Sequence, residues 1–309
     1  MRRLTTWAAA AVLPALMASA LLIGCGGGDK TEAPKGDGDS GKKVEKKGDK
    51  PKGLTAVEAK GKGTIKGKVK LAGSKPDFSK ENADLLAQMK QKDEAHCVAN
   101  APKDQTEQQH WRISDDGGIA NVFVWLQPST GQFFKLEEKD IPESAKKEVV
   151  LDQPHCAFVP HALVLFPSYR DPADPKKMKP TGQKFVVKNS NTILHNTDLK
   201  GGTDNPGGNN AIQPGGKKDE EVVPSPDPIA ISCQVHPWMN AYARAFDHPY
   251  ATLTDKDGNF EIKDAPAGAK LHLVVWHERA EYGDNGKGGK EVELKPGETT
   301  TENFELKAK

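Results

Sequence analysis

Sulfur and aromatic rings are scarce in this chain, which has four cysteines, five methionines, five tryptophans and four tyrosines among 309 residues. A disulfide-dense scaffold is thereby excluded, and any core must be built mainly from aliphatic side chains. An excess of charge of one sign is missing too. Lys and Arg number 44 against 43 Asp and Glu, a formal net charge of +1, so the balance gives no reason to expect nucleic acid or another polyanion as partner. Beyond the N-terminal leader no long apolar run occurs, and no membrane span is expected there. Paired carboxylates, a nucleophile elbow and a phosphate-binding glycine loop are also lacking, so the sequence indicates no enzyme.

What is there begins with "MRRLTTWAAAAVLPALMASALLIGC": two arginines, a short small-residue-rich apolar run containing Pro14, then Leu22-Ile23-Gly24-Cys25. Residues 1–24 read as a secretory signal peptide. Its end resembles a bacterial lipobox, which implies that Cys25 carries the lipid and that the mature chain is a membrane-anchored, extracytoplasmic lipoprotein, periplasmic or on the cell surface. Residues 25–61 are mostly Gly, Lys, Asp, Glu and Pro, too polar to bury, and form a lipidated, disordered tether.

With Cys25 given to lipid, Cys97, Cys156 and Cys233 remain. Three cysteines in an oxidising compartment leave one thiol over after any pairing, and metal ligation is one reason to keep such a thiol.

The folded part, about 245 residues, suffices for one large or two small domains. Most of its strong signals are β: "GTIKGKVKLAG" alternates, "GIANVFVWLQ" is β-branched and aromatic, and "KFVVKNSN", "YATLT", "NFEIKD" and "KLHLVVWHE" follow. Only "SKENADLLAQMKQKDEAH" has helical composition, with Ser79 as its expected cap. The expected fold is mostly β with one short helix.

Two stretches look like halves of one unit. "GTIKGKVKLAG" with "IANVFVWLQPSTG", and "ATLTDKDGNFEIKDAPAGAKLHLVVWHE", resemble the early and late strands of the carboxypeptidase regulatory-like, transthyretin-type β-sandwiches. The Asp257-Gly258 turn is a strong hairpin signal on its own. Roughly a hundred residues separate the halves, and an insertion of that size is itself a domain. The expected organisation is a discontinuous antiparallel sandwich over 62–147 and 249–309, interrupted by a second domain over 148–248.

That insertion resembles the cupredoxins, which are Greek-key β-sandwiches. The likeness is carried by Phe158 and Pro160, the Gly182-Gln183 turn, the Asn-Ser-Asn turn, the His195-Asn196 pair and the loop "CQVHPWM", whose shortness is closest to amicyanin-type proteins. Two features depart from the family: "PSYRDPADPKKMKPT" is longer than its turn, and Cys156 has no part in its metal site. The resemblance implies a mononuclear type 1 copper held by His195, Cys233, His236 and Met239. Asn196 would tie the ligand loops together and donate to the thiolate, and an apolar rim around the second histidine would admit electrons. Donor chemistry agrees, because one thiolate, two imidazoles and a weak thioether suit both Cu(I) and Cu(II), whereas Met is a poor zinc ligand. Given nine histidines and five methionines, a cysteine with His at +3 and Met at +6 arises by chance about once in two thousand. The loop has no second cysteine for a dinuclear centre, and no CxxCH haem motif occurs.

Once Cys25 and Cys233 are assigned, Cys97 and Cys156 are left to form a disulfide. His155, His161 and His248 lie near the expected domain junction, where histidines satisfied by the backbone are the default and a second metal site is the alternative, and His96, His110, His272 and His277 show no ligand pattern. The function implied is one-electron transfer between redox proteins, with the lipid at Cys25 holding the chain to a membrane and no enzymatic activity. Two alternatives stay open: copper delivery or storage, and a cell-surface module that binds carbohydrate or protein, with the cupredoxin as a metal-free scaffold.

Overall fold

The structure, a computed structural model, describes residues 53–308. The expected signal peptide, Cys25 and the tether up to residue 52 lie outside the described residues. No described helix is long and apolar enough to cross a membrane. The described residues are mostly β, with one α-helix.

The first β assembly is organised by the strand Gly61–Ala72. Its alternation turns Ile65, Val69 and Leu71 inward, and lysines occupy the positions between. It pairs antiparallel with Asn259–Ala267, placing Ile65 opposite Ile262, and parallel with Thr299–Thr301 and Phe304–Lys307 on its other edge. Gly67 sits where that edge partner changes. A Cβ there would stand 1.6 Å from the Glu302 carbonyl oxygen, so only glycine fits. "GTIKGKVK" and "NFEIKD", two hundred residues apart in round terms, thus share a sheet. In the turn before "NFEIKD", Asp255 accepts the backbone N–H groups of Asp257 and Asn259 at 2.9 and 2.8 Å, and Gly258 takes φ +81°.

A second sheet faces the first. Phe123–Pro128 lies between Ala251–Leu253 and Lys270–His277, and Lys270–His277 also pairs with Lys290–Glu293 and Glu281–Tyr282. Val124, Leu126, Leu271, Leu273 and Val275 meet Ile65, Val69, Phe260 and Ile262 in one core. Its other face is apolar as well: Phe123, Trp125, Val274 and Trp276 pack on Ala162 and Phe246. Burial on both faces explains why these two strands read as near-continuous apolar runs rather than alternating ones.

Ala162 and Phe246 belong to the second β assembly. Its larger sheet runs Asn209–Ile212, His195–Lys200, Ile229–Ser232, Asn240–Ala245, Ala162–Leu165, and its smaller one Lys217–Glu220, Lys184–Lys188, Glu148–Asp152. Leu151, Phe158, Leu163, Leu165, Phe185, Val187, Ile229 and Ile231 fill the space between them. The long "PSYRDPADPKKMKPT" segment is an antiparallel hairpin of Ser168–Asp171 and Asp174–Pro180.

The helix Ser79–Cys97 leaves the first assembly and lays Met89 and Cys97 onto the core of the second. Its cap differs from the expected one. Asp77, not Ser79, supplies the acceptor, taking the Ser79 N–H at 2.9 Å and its hydroxyl at 2.6 Å, while Ser79 is already helical. A short carboxylate two residues ahead reaches the orphan N–H that a serine inside the helix cannot reach. The helix kinks at Asp93, whose φ and ψ are −145° and 52°. It ends at a disulfide between Cys97 and Cys156, Cα atoms 4.8 Å apart. Cys156 lies in the connection between Glu148–Asp152 and Ala162–Leu165.

Candidate metal centre

His195 opens the strand His195–Lys200, and Cys233 follows directly on the neighbouring strand Ile229–Ser232. Antiparallel pairing of Asp198 with Ser232 brings the start of one strand beside the end of the other, so the imidazole and the thiol share one end of the sheet. From Cys233 the chain makes a closed loop. Met239 N–H donates to the His236 carbonyl at 2.9 Å and Cys233 N–H to the Met239 carbonyl at 3.3 Å, returning the chain to Asn240–Ala245. Pro237 within it limits the backbone further.

Asn196 ties this loop to the His195 strand. Its Oδ1 accepts the Gln234 and Val235 N–H groups at 2.8 and 3.1 Å and lies 3.2 Å from Cys233 Sγ. The expected donation to sulfur comes from elsewhere: the oxygen of Asn196 faces the thiol, and the His236 backbone N–H points at Sγ from 3.4 Å.

Ligand atoms of His195, Cys233 and His236 all lie within 4.8 Å of one another. The two imidazoles meet through their Nδ1 atoms, 3.1 Å apart. Exposures of 0% for both histidines, 2% for Cys233 and 1% for Met239 seal the group from water. Met239 shares the core cluster of Cys233. Outer nitrogens are engaged as well. Asn191 Nδ2 donates to His195 Nε2 at 3.1 Å, and His236 Nε2 meets the Asp93 carboxylate at 2.9 Å. A carboxylate only accepts, so His236 carries its proton on Nε2 and leaves Nδ1 as a bare lone pair aimed at its partner ring.

Electrostatics keep both rings neutral. Burial, reinforced by the neighbouring His236, depresses His195 to about 4. Burial also lowers His236, opposed by its bond to Asp93. Two neutral imidazoles and a thiol, converging without water, are a donor set suited to a soft or borderline cation once the thiol proton and the proton that the Asn191 bond leaves on His195 Nδ1 are displaced.

Asp93 had no signal in the sequence, being one polar position among many on an exposed helix. Its kinked backbone turns it toward His236, and Lys92 Nζ bonds the Val235 carbonyl alongside. The helix therefore roofs the second histidine, and the apolar rim expected there is narrowed to exposed Pro237 and half-buried Trp238. Trp238 stands 5.2 Å from the His236 ring and donates its indole N–H to the Cys156 carbonyl at 3.1 Å. Cys97 and Cys156 also approach His236, but their sulfurs are bonded to each other. Other histidines near the junction disperse: His155 bonds Gln105 at 2.8 Å, and His248 is buried among Phe134, Phe246 and Tyr250.

No protein-family model matches the chain, and no curated protein does. Among solved structures, an amicyanin mutant in the Cu(I) state matches with a TM-score of 0.25 and 9% identity, over 36% of this chain and 90% of that one. A purple cupredoxin from Nitrosopumilus maritimus matches with a TM-score of 0.23 and 11% identity, over 32% and 98%. The reduced state of another amicyanin mutant does so with a TM-score of 0.24 and 9% identity, over 39% and 98%. Likenesses this slight leave the side chains to carry the function.

Proposed function

We propose that this chain is an extracytoplasmic lipoprotein that carries single electrons on one mononuclear type 1 copper held by His195, Cys233, His236 and Met239. The observation that carries the reading is the convergence of two imidazole Nδ1 atoms, 3.1 Å apart, beside a buried unpaired thiol. Copper bound there supplies a one-electron couple between Cu(II) and Cu(I). The chain's own residues hold the ligands still. Asn196 fastens the Cys233 loop to the His195 strand, and Asp93 and Asn191 fix the two rings from behind. A loop closed by its own backbone hydrogen bonds moves little between oxidation states, which keeps reorganisation small. Trp238, against the His236 ring and half-buried, is the path by which a redox protein partner reaches the centre.

In this reading residues 148–248 are a cupredoxin inserted into a regulatory-like sandwich over 62–147 and 249–309, with a lipid on Cys25 holding both to the membrane. The chain acts as a carrier rather than an enzyme. Burial favours electron transfer over delivery or storage, because a ligand set exposed by 2% or less gives an acceptor no route to take the ion. Visible and electron paramagnetic resonance spectra of the copper-loaded chain test the assignment. An intense sulfur-to-copper charge-transfer colour is expected, absent in Cys233→Ala. A colourless copper-loaded chain, or colour that survives Cys233→Ala, would sink it.

A further inference from the structure

Away from that centre, at the junction of the two β assemblies, three more ligand-type side chains converge from distant parts of the sequence. His110 comes from the connection after the helix, His161 from just before Ala162–Leu165, and Glu278 from just after Lys270–His277. His110 Nδ1 meets Glu278 Oε2 at 2.7 Å, and His161 Nε2 meets Glu278 Oε1. The three ligand atoms lie within 4.8 Å of one another. We propose that His110, His161 and Glu278 form a second metal site, for a divalent first-row transition ion such as Zn(II) or Fe(II).

Two imidazoles and one carboxylate around a point are a recurrent donor set for such ions, and three protein ligands leave coordination positions free. His161 is 7% exposed and turns its Nε2, the nitrogen a metal would take, to Glu278, while its Nδ1, on the other side of the ring, is buried with no partner among the described residues. Glu278 is itself buried, its side chain 5% exposed, and nothing but histidine compensates it.

The surroundings are built to hold this geometry. The His277 ring lies against Trp111, centroids 4.4 Å apart and planes tilted by 33°, so the residues flanking both His110 and Glu278 pack on each other. His161 is held against Tyr242, ring centroids 6.3 Å apart. The site also has access. His110 lines a cavity of about 590 Å³ that Phe158, Trp238 and Met239 also line.

Metal counting tests the site independently of the first one. The Cys233→Ala chain, stripped with a chelator and then freed of it, is titrated with Co(II), read by visible ligand-field bands and by elemental analysis. Glu278→Gln in the same background is expected to bind one Co(II) fewer per chain and to lose the corresponding bands, whatever His195 and His236 retain. Should Glu278→Gln fail to fold by near-ultraviolet circular dichroism, His110→Gln, the most exposed of the three, replaces it with the same expectation. Equal stoichiometry with and without the substitution, or no Co(II) bound by the Cys233→Ala chain, overturns the proposal and leaves a hydrogen-bonded lock between the two assemblies.

Discussion

Met239 differs from its neighbours at the centre in what its loss should do. In the proposed copper site Cys233, His195 and His236 would supply the strong donors, whereas a thioether on the axis would bind weakly and mainly add electron density that favours Cu(II). Replacing Met239 by leucine keeps the apolar volume of a side chain only 1% exposed, so the core around Cys233 should stand. Copper is expected to stay bound in Met239→Leu while the reduction potential rises, read by voltammetry of the loaded protein. An unchanged spectrum and potential would place Met239 away from the metal. At this scale the sequence was legible where the candidate residues lie close together: Cys233, His236 and Met239 are three apart, and the structure brings Cys233 and His236 together with His195 while Met239 shares the core cluster of Cys233. His195 needed the cupredoxin pattern. The orientation of Asn196 could not be read, because which amide atom faces a sulfur depends on the N–H groups of Gln234 and Val235 that its oxygen accepts.

The helix Ser79–Cys97 does more than its composition suggested. Its composition marked it only as helical, yet its kink delivers Asp93 to His236 and its last residue is covalently joined to the second assembly. A carboxylate behind a ligating imidazole fixes the ring and strengthens it as a donor. Asp93→Asn should therefore keep the copper but weaken its binding by about 10–100-fold, the usual cost of removing such a partner. The potential should also rise, because a negative charge that stabilises Cu(II) is gone. A competition titration with a copper chelator measures the first effect and voltammetry the second. Affinity and potential both equal to the parent would mean that Asp93 only caps the roof. The disulfide acts on the same element through the unfolded chain. It closes a loop of 59 residues, and chain-entropy bookkeeping gives about 4 kcal/mol for a loop of that length. The Cys97→Ser/Cys156→Ser variant should lose a stability of that order in urea unfolding, and its helix should exchange amide protons faster than the sheets do. Equal helix protection in parent and variant would show that Met89 packing alone holds the element down.

Across the whole molecule, the topology is carried by pairings that no local pattern can reveal. Hairpin chemistry at Asp257-Gly258 and the alternation around Ile65 were visible in the sequence. That Gly61–Ala72 lies beside Asn259–Ala267, and that the face of Trp125 and Trp276 is buried against the other assembly, follow only from the closed structure. His110 and Glu278 illustrate the limit, since 168 residues separate two side chains that touch. The same closure buries five histidines, among them His195 at the candidate metal centre and His248 and His277 outside it. Burial depresses each of these three to about 4. In the unfolded chain they titrate near the ordinary 6.5. Between about pH 4 and 6.5 the unfolded chain thus binds more protons than the native one, and stability rises with pH across that window. Above it the contribution is complete; on acidification it is lost, because folding then demands a neutral ring where water would hold a charged one. One pKa unit corresponds to about 1.4 kcal/mol, so each ring accounts for up to about 3 kcal/mol. Glu278, held near 2, adds a loss that starts lower, as pH falls below the ordinary carboxylate value of 4.5. Urea unfolding of the metal-free protein should show a midpoint that is flat above pH 7, falls steeply from pH 6.5 to 4, and falls again below. His248→Gln, away from both candidate metal clusters, should flatten the upper limb by less than a third of its depth, because His236 is lowered as well. A midpoint constant down to pH 4.5 would mean that water reaches these rings and that the junction opens in solution.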